Sequence, residues 1–154
     1  MAASKTETET DPVKIWYKLL LDKVVKEMIR LKAVKGVAVQ ASPEWMVPDD
    51  ILIAKVWGLG YEDDFIWTIS IDKFIADYVA GSLAATPRDV ARHFSLKWQM
   101  DAERIVGHEK AKKPPATTDK KMLDYSEQLV QKAELLYDLS SRDHVWEQTG
   151  ATGK

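Results

Sequence analysis

Cysteine is absent from the 154 residues, which excludes a disulfide scaffold, a thiol nucleophile and thiolate metal sites, and fits a reducing cytoplasm. Histidine occurs three times, at His93, His108 and His144. None stands in a His-x-x-x-His or His-Glu-x-x-His frame, so no zinc motif is present. Glycine is sparse, at seven residues, and forms neither a phosphate-binding loop, a dinucleotide fingerprint nor a Gly-x-Ser-x-Gly elbow. Apolar runs stop after three or four residues, far short of a membrane span. Excess charge is also lacking: the net charge is −2, which gives no overall field toward nucleic acid or an anionic membrane. Met1 to Thr10 is polar and acidic without an apolar core, and so does not read as a secretory signal.

What remains is an ordinary globular composition, 45% hydrophobic and 30% charged, with enough chain to bury a core unaided. Its unusual feature is six tryptophans, at 16, 45, 57, 67, 98 and 146. The clearest segment is Thr86 to Val106. Thr86 can cap a helix that Pro87 opens, and Asp89 suits the positive helix end. At 100° per residue Val90, Ala91, Phe94, Trp98, Ala102 and Ile105 fall within an arc of about 120°. His93, Leu96 and Met100 form a second stripe. Apolar surface on two sides predicts a helix sandwiched between other elements.

Ahead of it, Asp11-Pro12 opens a helix whose stripe is Val13, Tyr17, Leu20, Leu21, Val24, Met28 and Leu31, with Gly36 as its stop. Lys14, Lys18, Lys26, Arg30 and Lys32 make the rest basic, a face that could meet an acidic partner but is read first as a solvated one. Val37 to Gln40 reads as a short strand, and residues 41–50 as a loop because Pro43 and Pro48 interrupt pairing. Ile51 to Trp57 is apolar almost throughout, a strand covered on both faces. Residues 58–64 form a turn, with Glu62-Asp63-Asp64 as its solvated tip. Phe65, Trp67, Ile69 and Ile71 then alternate with Thr68 and Ser70, which places the first set on the core and the second away from it. Residues 72–85 read as a helical turn or a connection. Lys110 to Thr118 is a proline-broken linker. A last helix starts near Asp119, with Met122, Tyr125, Leu129, Ala133 and Leu136 as its stripe, and breaks at 140–143 before Val145-Trp146.

Candidate sites are few. Thr86, Arg88 and Arg92, with His93 beside them, would set two guanidinium groups at a helix N-terminus, where N–H groups and the dipole favour a carboxylate or phosphate. Arginines bridging to the domain's own acids would look the same. Asp89 and His93, four apart, can meet as a base and its orienter or as a local helix pair. Trp45 and Met46, in the expected loop, and Trp16, outside the stripe of the first helix, are candidate interface residues.

The run Arg92-His93-Phe94-Ser95-Leu96-Lys97-Trp98-Gln99, followed by Ala102-Glu103 and preceded by Ser82 to Pro87, resembles a signature of a family of small uncharacterised proteobacterial cytoplasmic proteins. Ile66 to Ser70 is similar too. The resemblance covers roughly residues 50–106. It implies an α+β fold and a cytoplasmic location, and it brings no activity, ligand or site residue.

The expectation is therefore one α+β domain over residues 11–147 between disordered tails, 1–10 and 148–154. A long N-terminal helix, a hairpin or three-stranded antiparallel meander, and two long C-terminal helices packed on that sheet make it up. The function expected is a non-catalytic protein-interaction module, such as an adaptor, inhibitor or immunity-type partner. The alternative is a small-molecule or anion-binding domain, with or without enzymatic activity, at the helix that starts with Pro87. No cofactor, metal, nucleic acid or membrane is expected. Another protein is, and so is a homodimer built on the first or last helix, where Ile15, Trp16, Leu19, Leu135 and Leu139 exceed what a small sheet can cover.

Overall fold

The computed structural model describes residues 11–71 and 75–152. In chain order these form α1 (Pro12–Arg30), β1 (Val39–Val47), β2 (Ile51–Gly58), β3 (Ile66–Ile71), β4 (Ile75–Ala80), α2 (Pro87–Lys110), α3 (Lys120–Ser140) and α4 (Asp143–Thr152). The fold is α+β as expected, with four strands where two or three were read. They form one antiparallel meander in the order β1-β2-β3-β4. By contacts the chain divides into two compact units, one made of the chain up to Pro87 together with that from Gln148 onward, the other spanning Arg88–Glu147. The expected tails lie outside the residues whose side chains are described, although α4 keeps a helical backbone through Thr152.

In the first unit α1 begins as its sequence predicts. Pro12 occupies the first turn and the Asp11 carboxylate accepts from the Val13 N–H at 3.0 Å. It ends at Arg30, well before Gly36. Lys32 takes the left-handed conformation at φ 57°, and Lys32 N–H and Ala33 N–H donate to the carbonyls of Ile29 and Met28. That pair of bonds satisfies the last carbonyls of the helix without a glycine. Gly36, at φ 94°, turns the following loop instead.

The central pair β2–β3 is in register from Ile51↔Ile71 to Val56↔Ile66. Every residue of β3 is buried, as is every residue of β2 except Lys55 and Trp57. This corrects the reading of Thr68 and Ser70 as solvent-facing: they are 2% and 4% exposed. Their face also carries Val56 and Ile66, which cluster with Val24 and Met28 of α1. On the opposite face Trp67 Nε1 donates to the Ala84 carbonyl at 2.9 Å. There the Lys55 ammonium sits 4.7 Å from the Phe65 ring centre and 5.1 Å from that of Trp67, so its charge rests on two aromatic faces.

Both outer strands depart from expectation. β1 runs straight through Pro43, because it is an edge strand and a shift of register between Pro43 and Trp45 absorbs the missing donor. Only residues 48–50 remain as the turn. Residues 75–80 form β4 rather than a helical turn, pairing from Ile71↔Ile75 to Ile66↔Ala80. Close approach, not turn geometry, explains Gly58, since a Cβ there would lie 1.6 Å from the Lys35 carbonyl oxygen.

In the second unit α2 buries Val90, Ala91, Phe94, Trp98 and Ala102 of the predicted arc, and leaves Ile105 half-buried. Phe94 and Trp98 lie with ring centres 5.4 Å apart. The second stripe is not sandwiched: Leu96 is 62% and Met100 57% exposed. Asp119 caps α3 through the N–H groups of Lys121 and Met122, and Leu129, Ala133 and Leu136 are its buried line. Trp146 Nε1 donates to the Leu139 carbonyl at 2.9 Å, tying α4 to the end of α3.

Trp98 is 1% exposed, so Trp98→Ala is expected to destabilise the protein by about 3–5 kcal/mol, the range for truncating a buried large aromatic. Chemical denaturation measures this directly, and an unchanged midpoint would place the side chain outside the core.

Candidate functional site

Polar clasps hold α2 and α3 together at both ends, and these fix the geometry between them. At one end Arg88 Nε donates to the Ser140 carbonyl at 2.8 Å and Nη2 to Asp143 Oδ1 at 2.7 Å. The guanidinium thus fills the need of a helix C-terminus for a cation and a donor. Asp143 is 79% exposed at its side chain, so the ion pair itself adds little in water. At the other end Glu109 Oε1 accepts from the Asp119 N–H at 2.7 Å and pairs with Lys112 Nζ at 2.8 Å. Thr118 Oγ1 donates to the Glu109 carbonyl at 3.2 Å. The start of α2 therefore meets the end of α3, and the reverse, which makes the pair an antiparallel hairpin.

Glu109 is 3% exposed. Hydrogen bonds from Lys112 and from the Asp119 backbone hold its carboxyl below the usual carboxylate range, against the opposing effect of burial. Neither Glu109 nor its role is visible in sequence, where it follows His108 in a charged helix end. A glutamate ten residues before a helix cap, across a proline-broken linker, is the one trace it leaves.

Between the clasps lies a groove of about 440 Å³, lined by Arg92, Ser95, Leu96 and Gln99 of α2 and by Tyr137, Ser140 and Ser141 at the end of α3. Its serine hydroxyl protons are spent on helix carbonyls. Ser95 Oγ donates to the Arg92 carbonyl at 2.7 Å, and Ser140 and Ser141 Oγ both donate to that of Tyr137, at 2.8 and 3.0 Å. A hydroxyl carries one proton and two lone pairs, so all three offer only acceptors to the groove. Leu96 and Tyr137, 62% and 64% exposed, form its apolar rim.

The expected anion site is only partly assembled around this groove. Arg92 lines it, while its Nη1 lies 3.5 Å from Asp89 Oδ1. Arg88 is engaged by Ser140 and Asp143. His93 is half-buried with its ring edge-on to Phe94 at 5.0 Å. Thr86 directly precedes the first helical residue and is exposed. Of the interface candidates, Trp45 is 4% exposed, in β1 opposite Ile53. Met46 and Trp16 are half-buried. Sequence reading missed Leu96, Met100 and Tyr137 as surface residues, because an apolar residue at helical spacing reads as core.

Among the described residues no three His, Asp or Glu side chains gather in a way that could hold a metal ion, and no helix is long and apolar enough to cross a membrane. Residues 13–146 match the family model described as Domain of unknown function (DUF4826), and the chain belongs to that family. It matches none of the curated proteins and none of the solved structures compared with it.

The Glu109 clasp sets a pH dependence. A carboxyl whose folded pKa is lowered contributes stability in full above its unfolded value, about 4.3, and loses it as pH falls through the folded value. Glu109→Gln is expected to lower the melting temperature at pH 7 by a few degrees and to reduce the loss of stability between pH 5 and 3. Thermal unfolding across that pH range, wild type against variant, checks it; parallel curves would remove Glu109 from the acid response.

Proposed function

We propose that this chain is a small cytoplasmic, bacterial, non-catalytic protein-interaction module that docks another protein on the α2–α3 groove. The observation that carries the reading is the exposed apolar ridge of Leu96, Met100 and Tyr137, each more than half exposed, beside a groove bounded by two helices. Exposed apolar side chains on the helices that bound a groove suit a partner segment that inserts its own. The acceptor-only hydroxyls of Ser95, Ser140 and Ser141 favour a segment that also brings N–H donors. These features speak less for the alternative, an anion or small acidic molecule held by Thr86, Arg88, Arg92 and His93. An anion needs donors, and the three serine protons and the Arg88 guanidinium are already committed, which leaves Arg92 and Gln99 to hold it.

Affinity capture from the source cell, wild type against a Leu96→Asp/Tyr137→Asp variant, tests the reading. Both changes are on exposed side chains, so the variant is expected to melt within about 2 °C of wild type. The expected result is a protein retained by wild type and lost, roughly tenfold or more, from the variant, consistent with removal of interface anchors. Identical retention by both sinks the proposal. A small acid that co-purifies and is released by Arg92→Ala supports the alternative.

In the first unit the same reading includes self-association through α1, where Ile15 and Leu19 are 45% and 63% exposed one turn apart. A helix-to-helix pairing about a two-fold axis would cover them. Sedimentation equilibrium at micromolar concentration is expected to show a dimer that Leu19→Glu returns to monomer. A single species at the monomer mass would limit the interface to the second unit.

A further inference from the structure

The first unit carries a partly open cavity between α1 and the sheet. α1 presents Leu20, Val24 and Met28 toward the sheet, but the residues beneath them include Thr68, Ser70 and Ala76, whose side chains are short. Where β2 and β3 carry Val56 and Ile66, the helix packs tightly against them. Beyond those the short side chains leave a cleft of about 260 Å³ that is partly open to solvent. At about 30 Å³ for a water-sized group, this space holds roughly eight or nine heavy atoms. Its walls are mainly aliphatic, so an apolar body fits it better than water does.

The charges at the mouth are not equivalent. Glu27 receives Arg30 Nε at 3.0 Å and Nη2 at 2.6 Å, and the hydrogen bond from Arg30 keeps its carboxyl below the usual range. Asp77 Oδ1 accepts from the Tyr78 N–H at 2.8 Å. Lys26, the next lysine on the helix, is paired with Asp22 at 3.0 Å. Lys23 lines the cavity and makes no ion pair among the described residues. Among the described charged groups at the mouth, Glu27 is paired with Arg30 and Asp77 accepts a backbone N–H, while the Lys23 ammonium makes no ion pair. Ser70, 4% exposed on the sheet side of the cavity, adds a hydroxyl that can donate or accept.

We infer that the α1–β3–β4 cavity binds a small monocarboxylate with an apolar body of about eight carbons. The ammonium of Lys23 meets the carboxylate at the mouth, and the body lies between Val24, Met28 and Ala76. The site is independent of the α2–α3 groove and of any partner bound there.

The test titrates the full chain, observed by amide NMR, with octanoate, octylamine and octanol, three probes of one body and different heads. Octanoate is expected to saturate and to shift the amides of Thr68, Ser70 and Ala76. Octanol is expected to bind about three- to tenfold more weakly, as befits loss of one solvent-accessible ion pair, and octylamine more weakly still. Lys23→Met, on an exposed side chain that does not endanger the fold, should weaken octanoate by the same factor and leave octanol unchanged. Lys26→Met should alter neither. Ala76→Leu fills the space and should abolish binding of all three. Equal binding of the three probes, no saturation below ten millimolar (about the weakest affinity such a body would give), or an undiminished octanoate affinity in Lys23→Met overturns the proposal.

Discussion

Burial of the β2–β3 pair on both faces is the constraint from which the first unit follows. Ile51, Leu52, Ile53, Ala54 and Val56 on one strand and Ile66 to Ile71 on the other are all under 10% exposed. Each fully buried aliphatic side chain contributes about 1.5–3 kcal/mol relative to leaving it in water. Strands apolar on both faces must be covered on both, and α1 covers the face of Val56, Thr68 and Ser70. The outer strands then finish the hydrogen bonding of the central two. β1 does so despite Pro43, because an edge strand needs donors only on its inner side and a register shift supplies the correction.

The second unit solves a different problem. A helical hairpin joined by a proline-broken linker leaves four orphan carbonyls and four orphan N–H groups at each pair of ends. Arg88 answers the carbonyl end of α3, and Glu109 answers its N–H end. One charged residue of α2 therefore serves each terminus of α3, and the hydrogen bonds set where the helices stop relative to each other. Leu129, Ala133 and Leu136 supply the burial, while the clasps supply the register. The exposed ridge of Leu96 and Met100 is what remains when α2 turns its wide arc inward.

Small side chains create the usable space in both units, with opposite chemistry. In the α2–α3 groove, three serines spend their protons on helix carbonyls and present lone pairs. Under α1, Thr68, Ser70 and Ala76 shorten the floor and leave a largely apolar cavity, with Lys23 the unpaired cation at its mouth among the described residues. As proposed, the first would take a partner rich in donors and the second an apolar body with a negative head. Neither depends on a catalytic constellation, and His93, edge-on to Phe94, is held as a packing residue.

Local sequence determined the features that depend on near neighbours. Asp11-Pro12 and Asp119 set helix starts because capping is decided within three residues. The break before Asp143 and the buried arc of α2 follow from polar caps and the 3.6-residue period. The β2–β3 hairpin is legible because two apolar runs flank a polar turn, and the α+β class follows from the order of these elements. Only tertiary structure decided the rest. Pro43 could join a strand because that strand lies at the edge, and Thr68 and Ser70 could be buried because α1 returns over them. Leu96 stayed exposed although its spacing matches a core position, since periodicity reports which residues share a face and not whether another element covers it. Arg88, Glu109 and Lys23 look alike in sequence, as charges on helices. Their partners lie 52 and 10 residues away for the first two, and for the third the cavity wall includes β3 and β4, so no local pattern could have separated them.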